Sequence, residues 1–244
     1  MNPHITLATA RRILSQLRHD RRTVALMLLV PTVLVVLLRY VFDSDVAFDR
    51  IAPALLGIFP FVIMFLVASI ATLRERTTGT LERLMTMPMG KLDLLFGYAL
   101  AFGAVALGQV ALVAAITLTW LGLDIAGSVA TLLLVAVLDA LLGMALGLFV
   151  SAFARTEFQA VQFMPAIVMP QVLLGGLFVA RDQMNPVLEA VSDVLPLSYA
   201  IDAMNLVTRS ADLSGELIRN LVIIGGCGLL ALVLGAATLR RRTA

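Results

Sequence analysis

Six stretches of this chain each run for about 20 residues or more with at most one charged side chain, the length a helix needs to cross a bilayer core. Thr23 to Phe42 carries only Arg39, near an end where a long side chain reaches the headgroups. Ile51 to Leu73 and Leu94 to Leu123 carry no charge, and Ile125 to Ala154 carries only Asp139. Phe158 to Ala180 and Asn220 to Leu239 complete the set. The runs are continuously apolar and do not alternate with period two, which argues against a β-barrel. In hydrocarbon a helix then satisfies its own backbone. The expectation is an all-α membrane protein with spans at about 23–42, 51–73, 94–121, 128–152, 158–180 and 220–239, forming one transmembrane domain over 23–244.

A composition of 60% hydrophobic and 14% charged residues fits that expectation, and a net charge of +2 does not suit a nucleic-acid binder. The basic residues set orientation. Thirteen of the 18 fall in the N-terminal segment, 74–93, 155–157 and the C-terminal end, against five on the other side (Arg39, Arg50, Arg181, Arg209 and Arg219). By the positive-inside rule both ends are cytoplasmic, which six crossings satisfy. The first run follows basic residues as a signal peptide does, but Asp43-Ser44-Asp45 comes after it with no small-residue cleavage site. It is expected to stay as an anchor.

Outside the spans, Leu7, Ala10, Ile13, Leu14 and Leu17 share one arc of a helical wheel, with Arg11, Arg12, Arg18 and His19 off it. Residues 1–22 therefore read as an amphipathic helix on the inner membrane surface. In 74–93, Leu81, Leu84 and Met85 share a face and Pro88 marks an end, giving a short cytoplasmic helix that by pattern alone reads as an ordinary loop helix and is also suited to a groove on a soluble partner. Val187 to Ile201 is too short and polar to cross and reads as a re-entrant or interfacial hairpin. The single cysteine, Cys227, has no partner for an internal disulfide, and His4 and His19 lack convergent ligands, so no metal site is expected.

The string Glu75-Arg76-x-x-Gly79-Thr80-x-Glu82-x-Leu84-x-x-x-Pro88, after the second span, resembles the signature of the ABC-2 type permeases, exporter subunits of the drug-resistance or lipooligosaccharide type. Leu195-Pro196-Leu197-Ser198-Tyr199-x-x-Asp202 is similar to that family's Pro-Leu-Thr-Tyr-x-x-Asp stretch, with Ser198 in place of the threonine. The resemblance implies that Glu75, Arg76, Gly79, Thr80, Glu82, Leu84 and Pro88 form the region touching an ATPase. It also implies that 182–205, with Pro196, Tyr199 and Asp202, forms an extracellular re-entrant helical pair. Two permease chains, alike or homologous, then work with two ATP-binding subunits that hold ATP and Mg, in the bacterial cytoplasmic membrane.

The residues agree on the division of labour. No Gly-x-x-x-x-Gly-Lys-Ser/Thr phosphate loop occurs, so ATP hydrolysis is assigned to another chain, and no nucleophile–base set marks an enzyme. Gly143-x-x-x-Gly147 is a candidate close helix interface, a spacing that ordinary transmembrane composition, rich in glycine, also produces. Phe59, Phe61, Met64 and Phe65 on the second span, with Gln162, Phe163, Met164, Gln171 and Phe178 on the fifth, are the candidate wall of a substrate path; the same side chains suit lipid. Pro60, Pro165 and Pro170 are candidate kinks. A mid-span carboxylate is costly, and the readings of Asp139 are a proton or cation site, a contact for a cationic drug, or an acid hydrogen-bonded between helices. The expected activity is export of hydrophobic or amphipathic compounds such as drugs. Lipid-linked or oligosaccharide cargo, and a proton-coupled secondary transporter using Asp139, are the alternatives.

Overall fold

In the computed structural model, which describes residues 2–86 and 90–238, the chain is all helical, with no strand among the described residues. Asn2 caps α1 (Pro3–His19), its side chain accepting from the His4 amide at 3.1 Å. Asp20 ends α1 and starts α2 (Arg21–Phe42), accepting from both the amide and the hydroxyl of Thr23. Those two bonds hold the Asp20 carboxyl below the usual carboxylate range. Asp43, in the left-handed region at φ 43°, turns the chain into α3 (Asp45–Thr77), capped by Ser44. Then come α4 (Thr80–Thr86), α5 (Lys91–Thr119), α6 (Val129–Val150) and α7 (Glu157–Leu174). A 3-10 turn (Arg181–Gln183), α8 (Pro186–Ser192), α9 (Pro196–Arg209) and α10 (Gly215–Thr238) follow.

Among the described residues, five helices are long and apolar enough to cross a membrane: α2, α3, α5, α6 and α10. The sixth expected span, 158–180, is represented by α7, which stops at Leu174 and dilutes its apolar residues with Gln159, Gln162, Gln171 and two prolines. The span predicted at 51–73 is extended at both ends. α3 has 33 residues, about 50 Å at 1.5 Å per residue, against a hydrocarbon core of about 30 Å. Its last turns, Arg74-Glu75-Arg76, are therefore helix and not loop.

The centre of the bundle is the pair α3 and α6. A Cβ added to Gly143 would lie 2.3 Å from the Phe61 carbonyl oxygen, and one on Gly147 would lie 2.3 Å from that of Phe65. The two backbones touch where small residues allow it, the packing that stabilises helices in lipid. The pairing of 61 with 143 and 65 with 147 also means that α3 and α6 run in the same direction. α10 lies along α6 the same way, Gly228 facing Leu142 and Gly235 facing Phe149.

The amphipathic segment forms its helix, and of the apolar arc Ala10 and Ile13 are buried with Leu14 and Leu17 partly so. Thr6 and Thr9 join them against α5, while Leu7, at the edge of the arc, is 68% exposed. Gly97 allows the close approach: a Cβ there would sit 2.6 Å from the Thr9 side chain.

Candidate functional site

The first cluster surrounds the end of α3 next to α4. Arg12 of α1 pairs with Glu75 at 2.9 Å, and the Tyr98 hydroxyl of α5 donates to the same carboxylate. Arg76 donates to the Thr238 hydroxyl at the end of α10 (3.3 Å) and lines a narrow crevice with Thr72, Tyr98 and Leu148. Arg74 forks onto Glu157, the first residue of α7, at 3.0 and 3.2 Å. Beside them Asp93 ties α1 to α5, accepting from the Asn2 amide at 2.8 Å, and caps its own helix by accepting from the Gly90 amide at 3.0 Å. Three consecutive charged residues thus tie α3 to α1, α5, α10 and α7.

The rest of the first motif leads away from that knot. Gly79 has φ +72°, a conformation that only glycine adopts without strain, and it breaks the backbone between α3 and α4. The Thr80 hydroxyl lies 3.0 Å from that of Thr78, and Leu84 is partly buried. Glu82 is in α4, its side chain outside the described part, and Pro88 lies outside the described residues. Glu75, grouped by sequence with the partner-facing residues, is turned into its own chain, only 12% of its side chain exposed.

At the opposite end, the turn after α7 is clasped to α8 and α9. Arg181 pairs with Asp202 at 2.5 Å and with Asp193, and its guanidinium lies 5.2 Å from the centre of the Tyr199 ring. The Tyr199 hydroxyl donates to the Asp193 carbonyl at 2.7 Å. Burial pushes the Asp202 carboxyl above its ordinary range, and Arg181 pulls it part of the way back. Ser192 donates to the Leu174 carbonyl at 2.7 Å and lies 3.0 Å from Ser198, the residue that departs from the family's threonine. Pro196 opens α9 at its first turn, where a missing amide costs nothing. Arg181 was not singled out from the sequence, because nothing in the local pattern connects it to acids 12 and 21 residues away.

The candidate wall of a path divides in two. Phe61, Met64 and Phe65 have zero exposure and pack inside the chain, because the α6 glycines draw the backbones together there; they do not face an opening in this conformation. Gln171 is also buried, donating to the Ile167 carbonyl at 3.1 Å. Phe59, Phe163 and Met164 are partly buried, while Gln162 and Phe178 are exposed. Pro165 and Pro170 of α7 are both exposed. Asp139 is fully buried on α6, neither oxygen having a hydrogen-bond partner among the described residues.

A bundle of long apolar helices with both charged knots at its ends is a multi-pass membrane protein. The chain belongs to the ABC-2 type transporter family, whose model matches residues 3–207. It is 24% identical over 188 residues to the probable multidrug ABC transporter permease YbhS of Escherichia coli K12, covering 76% of this chain and 50% of that protein. It is 27% identical over 152 residues to the probable multidrug ABC transporter permease YbhR of the same organism, covering 62% and 41%. A match to ABC transporter G family member 20 of Dictyostelium discoideum is 26% identical over 156 residues, covering 64% and 21%. The chain spans half or less of the length of these relatives.

Proposed function

We propose that this chain is the membrane subunit of an ATP-driven exporter in the bacterial cytoplasmic membrane, with six crossings and both ends cytoplasmic. The observation that carries the reading is the knot at the end of α3: a partner pressing on α4 acts on a helix tied to α1, α5, α7 and α10 at once. ATP and Mg belong to two partner subunits, and α4, with Gly79, Thr80, Glu82, Leu84 and Pro88, is the segment that meets them. Parallel α6 and α10 support six crossings, since α7 must then carry the chain back across between them. Residues 1–22 form the docked surface helix and 23–244 the transmembrane domain. Pro196, Tyr199 and Asp202 shape the extracellular hairpin.

The path runs between two permease chains, lined from this one by Phe59, Gln162, Phe163, Met164 and Phe178. Pro165 and Pro170 leave backbone carbonyls one turn back without amide partners, which is tolerated against protein or water and costly against lipid. The multidrug permeases among its relatives favour hydrophobic or amphipathic drugs as cargo, with lipid-linked or oligosaccharide cargo the neighbouring alternative.

Gly79→Val is expected to halve, at least, the transport-coupled ATP hydrolysis of the reconstituted complex while the chain still inserts, because its φ strains any side chain. Copurification with the ATP-binding subunit is the direct check, and an unchanged complex with unchanged turnover would count against α4 as the contact. Cysteines at Asn2 and near Thr238 should resist impermeant reagents in intact cells and react after lysis; labelling of either from outside would break the topology.

A further inference from the structure

At the end of the bundle that holds the knot, three arginines are spent inside the chain: Arg12 on Glu75, Arg74 on Glu157 and Arg76 on Thr238. Arg11 and Arg18 of α1 and Arg21 and Arg22 of α2 are not. All four are exposed, and none forms an ion pair among the described residues. The one acid at the elbow between the two helices, Asp20, already accepts from the amide and the hydroxyl of Thr23. The elbow therefore carries a surplus of positive charge that the chain does not answer.

Beyond Arg22 the surface of α2 changes character. Leu26, Leu29, Val33 and Leu37 follow it at helical spacing on one face, each between 50% and 62% exposed. The opposite face, with Met27, Pro31 and Val35, is buried in the bundle. From Leu26 to Leu37 the stripe is about 16 Å long at 1.5 Å per residue, and one leaflet, half of a hydrocarbon core of about 30 Å, is about 15 Å deep. An apolar stripe one leaflet long that begins one turn past an arginine has the length and polarity of a phospholipid. Guanidinium groups match the planar, bidentate geometry of a phosphate.

Other occupants fit less well. The stripe lies at hydrocarbon depth, out of reach of a soluble protein. Laid on the same stripe of a second copy that crosses the membrane in the same direction, it would bring two Arg22 side chains to one height, and like charges oppose that contact.

We propose that the α1–α2 elbow is a binding site for an anionic phospholipid, its acyl chains along Leu26, Leu29, Val33 and Leu37 and its phosphate held by Arg18, Arg21 and Arg22. Arg11 extends the basic surface along α1. Bound there, the lipid fastens the elbow beside Arg12, the residue by which α1 enters the knot. The site rests on the placement of α2 in a membrane and not on the ATPase assignment.

The test uses the full chain in vesicles of equal parts phosphatidylglycerol and phosphatidylcholine, without nucleotide or partner. Trp120, the chain's only tryptophan and 64% exposed, is replaced (Trp120→Phe), and Val33→Trp supplies a fluorescent reporter in the middle of the stripe. Bromine on the acyl chains of one lipid at a time quenches that tryptophan on contact, so the two quenching values give the local lipid preference. Brominated phosphatidylglycerol should quench more than brominated phosphatidylcholine. Arg18→Gln with Arg22→Gln should lower that preference by about fivefold or more, the worth of one cation near an anionic surface. Arg209→Gln, which removes an exposed arginine at the end of α9, should leave it unchanged. Equal quenching by the two lipids in the parent chain overturns the proposal and needs no arginine variant. So does the absence of quenching by either, which means that protein covers the stripe. A preference that survives both substitutions, or that falls equally in Arg209→Gln, overturns it as well, because the elbow is then not what selects the lipid. Each failure leaves copurification with the ATP-binding subunit, and with it the transporter reading, untouched.

Discussion

Gly147→Val is expected to eliminate folded protein from the membrane. A valine Cβ would start 2.3 Å from the Phe65 carbonyl oxygen, an atom of the α3 backbone that no rotamer change can move aside. Ordinary overpacking costs about 1–3 kcal/mol, and a backbone collision between two central helices exceeds that range, a large share of a total stability of about 5–15 kcal/mol. Gly143→Val should behave alike, for the same reason at Phe61. Gly108→Val is the control: nothing lies within 4 Å of its added Cβ, so it should insert and melt as the wild type does. Yield of monodisperse protein in detergent and the midpoint of thermal unfolding distinguish the three. A Gly147→Val chain as stable as Gly108→Val would show that α3 and α6 do not touch.

That contact illustrates what the residues make legible. Spacing marked Gly143 and Gly147 as candidates for an interface, because four residues place both on one helix face; the partner could not be read, since nothing in a single chain says which helix answers. Hydropathy located the long helices but not their ends. α3 continues through Asp45–Arg50 and through Arg74–Arg76 because charges at the rim of a bilayer interrupt an apolar run without interrupting a helix. Hydropathy could not separate a wall from a core at Phe61, Met64 and Phe65, where large apolar residues suit both. The clasp at Arg181 was beyond a local reading altogether: its acids come from α9 and the end of α8, and only the fold brings them to one guanidinium.

Glu75 separates two ways in which a signature residue can matter. If its carboxylate holds the knot, Glu75→Ala leaves the Arg12 guanidinium without its ion-pair partner and the Tyr98 hydroxyl without its acceptor, both inside the chain. Breaking a fully buried pair costs about 3–5 kcal/mol; with Arg12 27% exposed, about 2 kcal/mol is expected, enough to lower the melting midpoint of the isolated chain by several degrees. Arg12→Ala should lower it as well, and the double variant should fall short of the sum, because both changes remove one interaction. The measurement needs no ATPase, which makes it discriminating. A carboxylate that served a partner subunit would leave the isolated chain's melting unchanged in Glu75→Ala, while coupled ATP hydrolysis fell in that variant and not in Arg12→Ala. Loss of stability in both single variants, with coupling lost in proportion, places Glu75 in the frame that carries a push on α4 to the other helices and leaves the contact itself to α4.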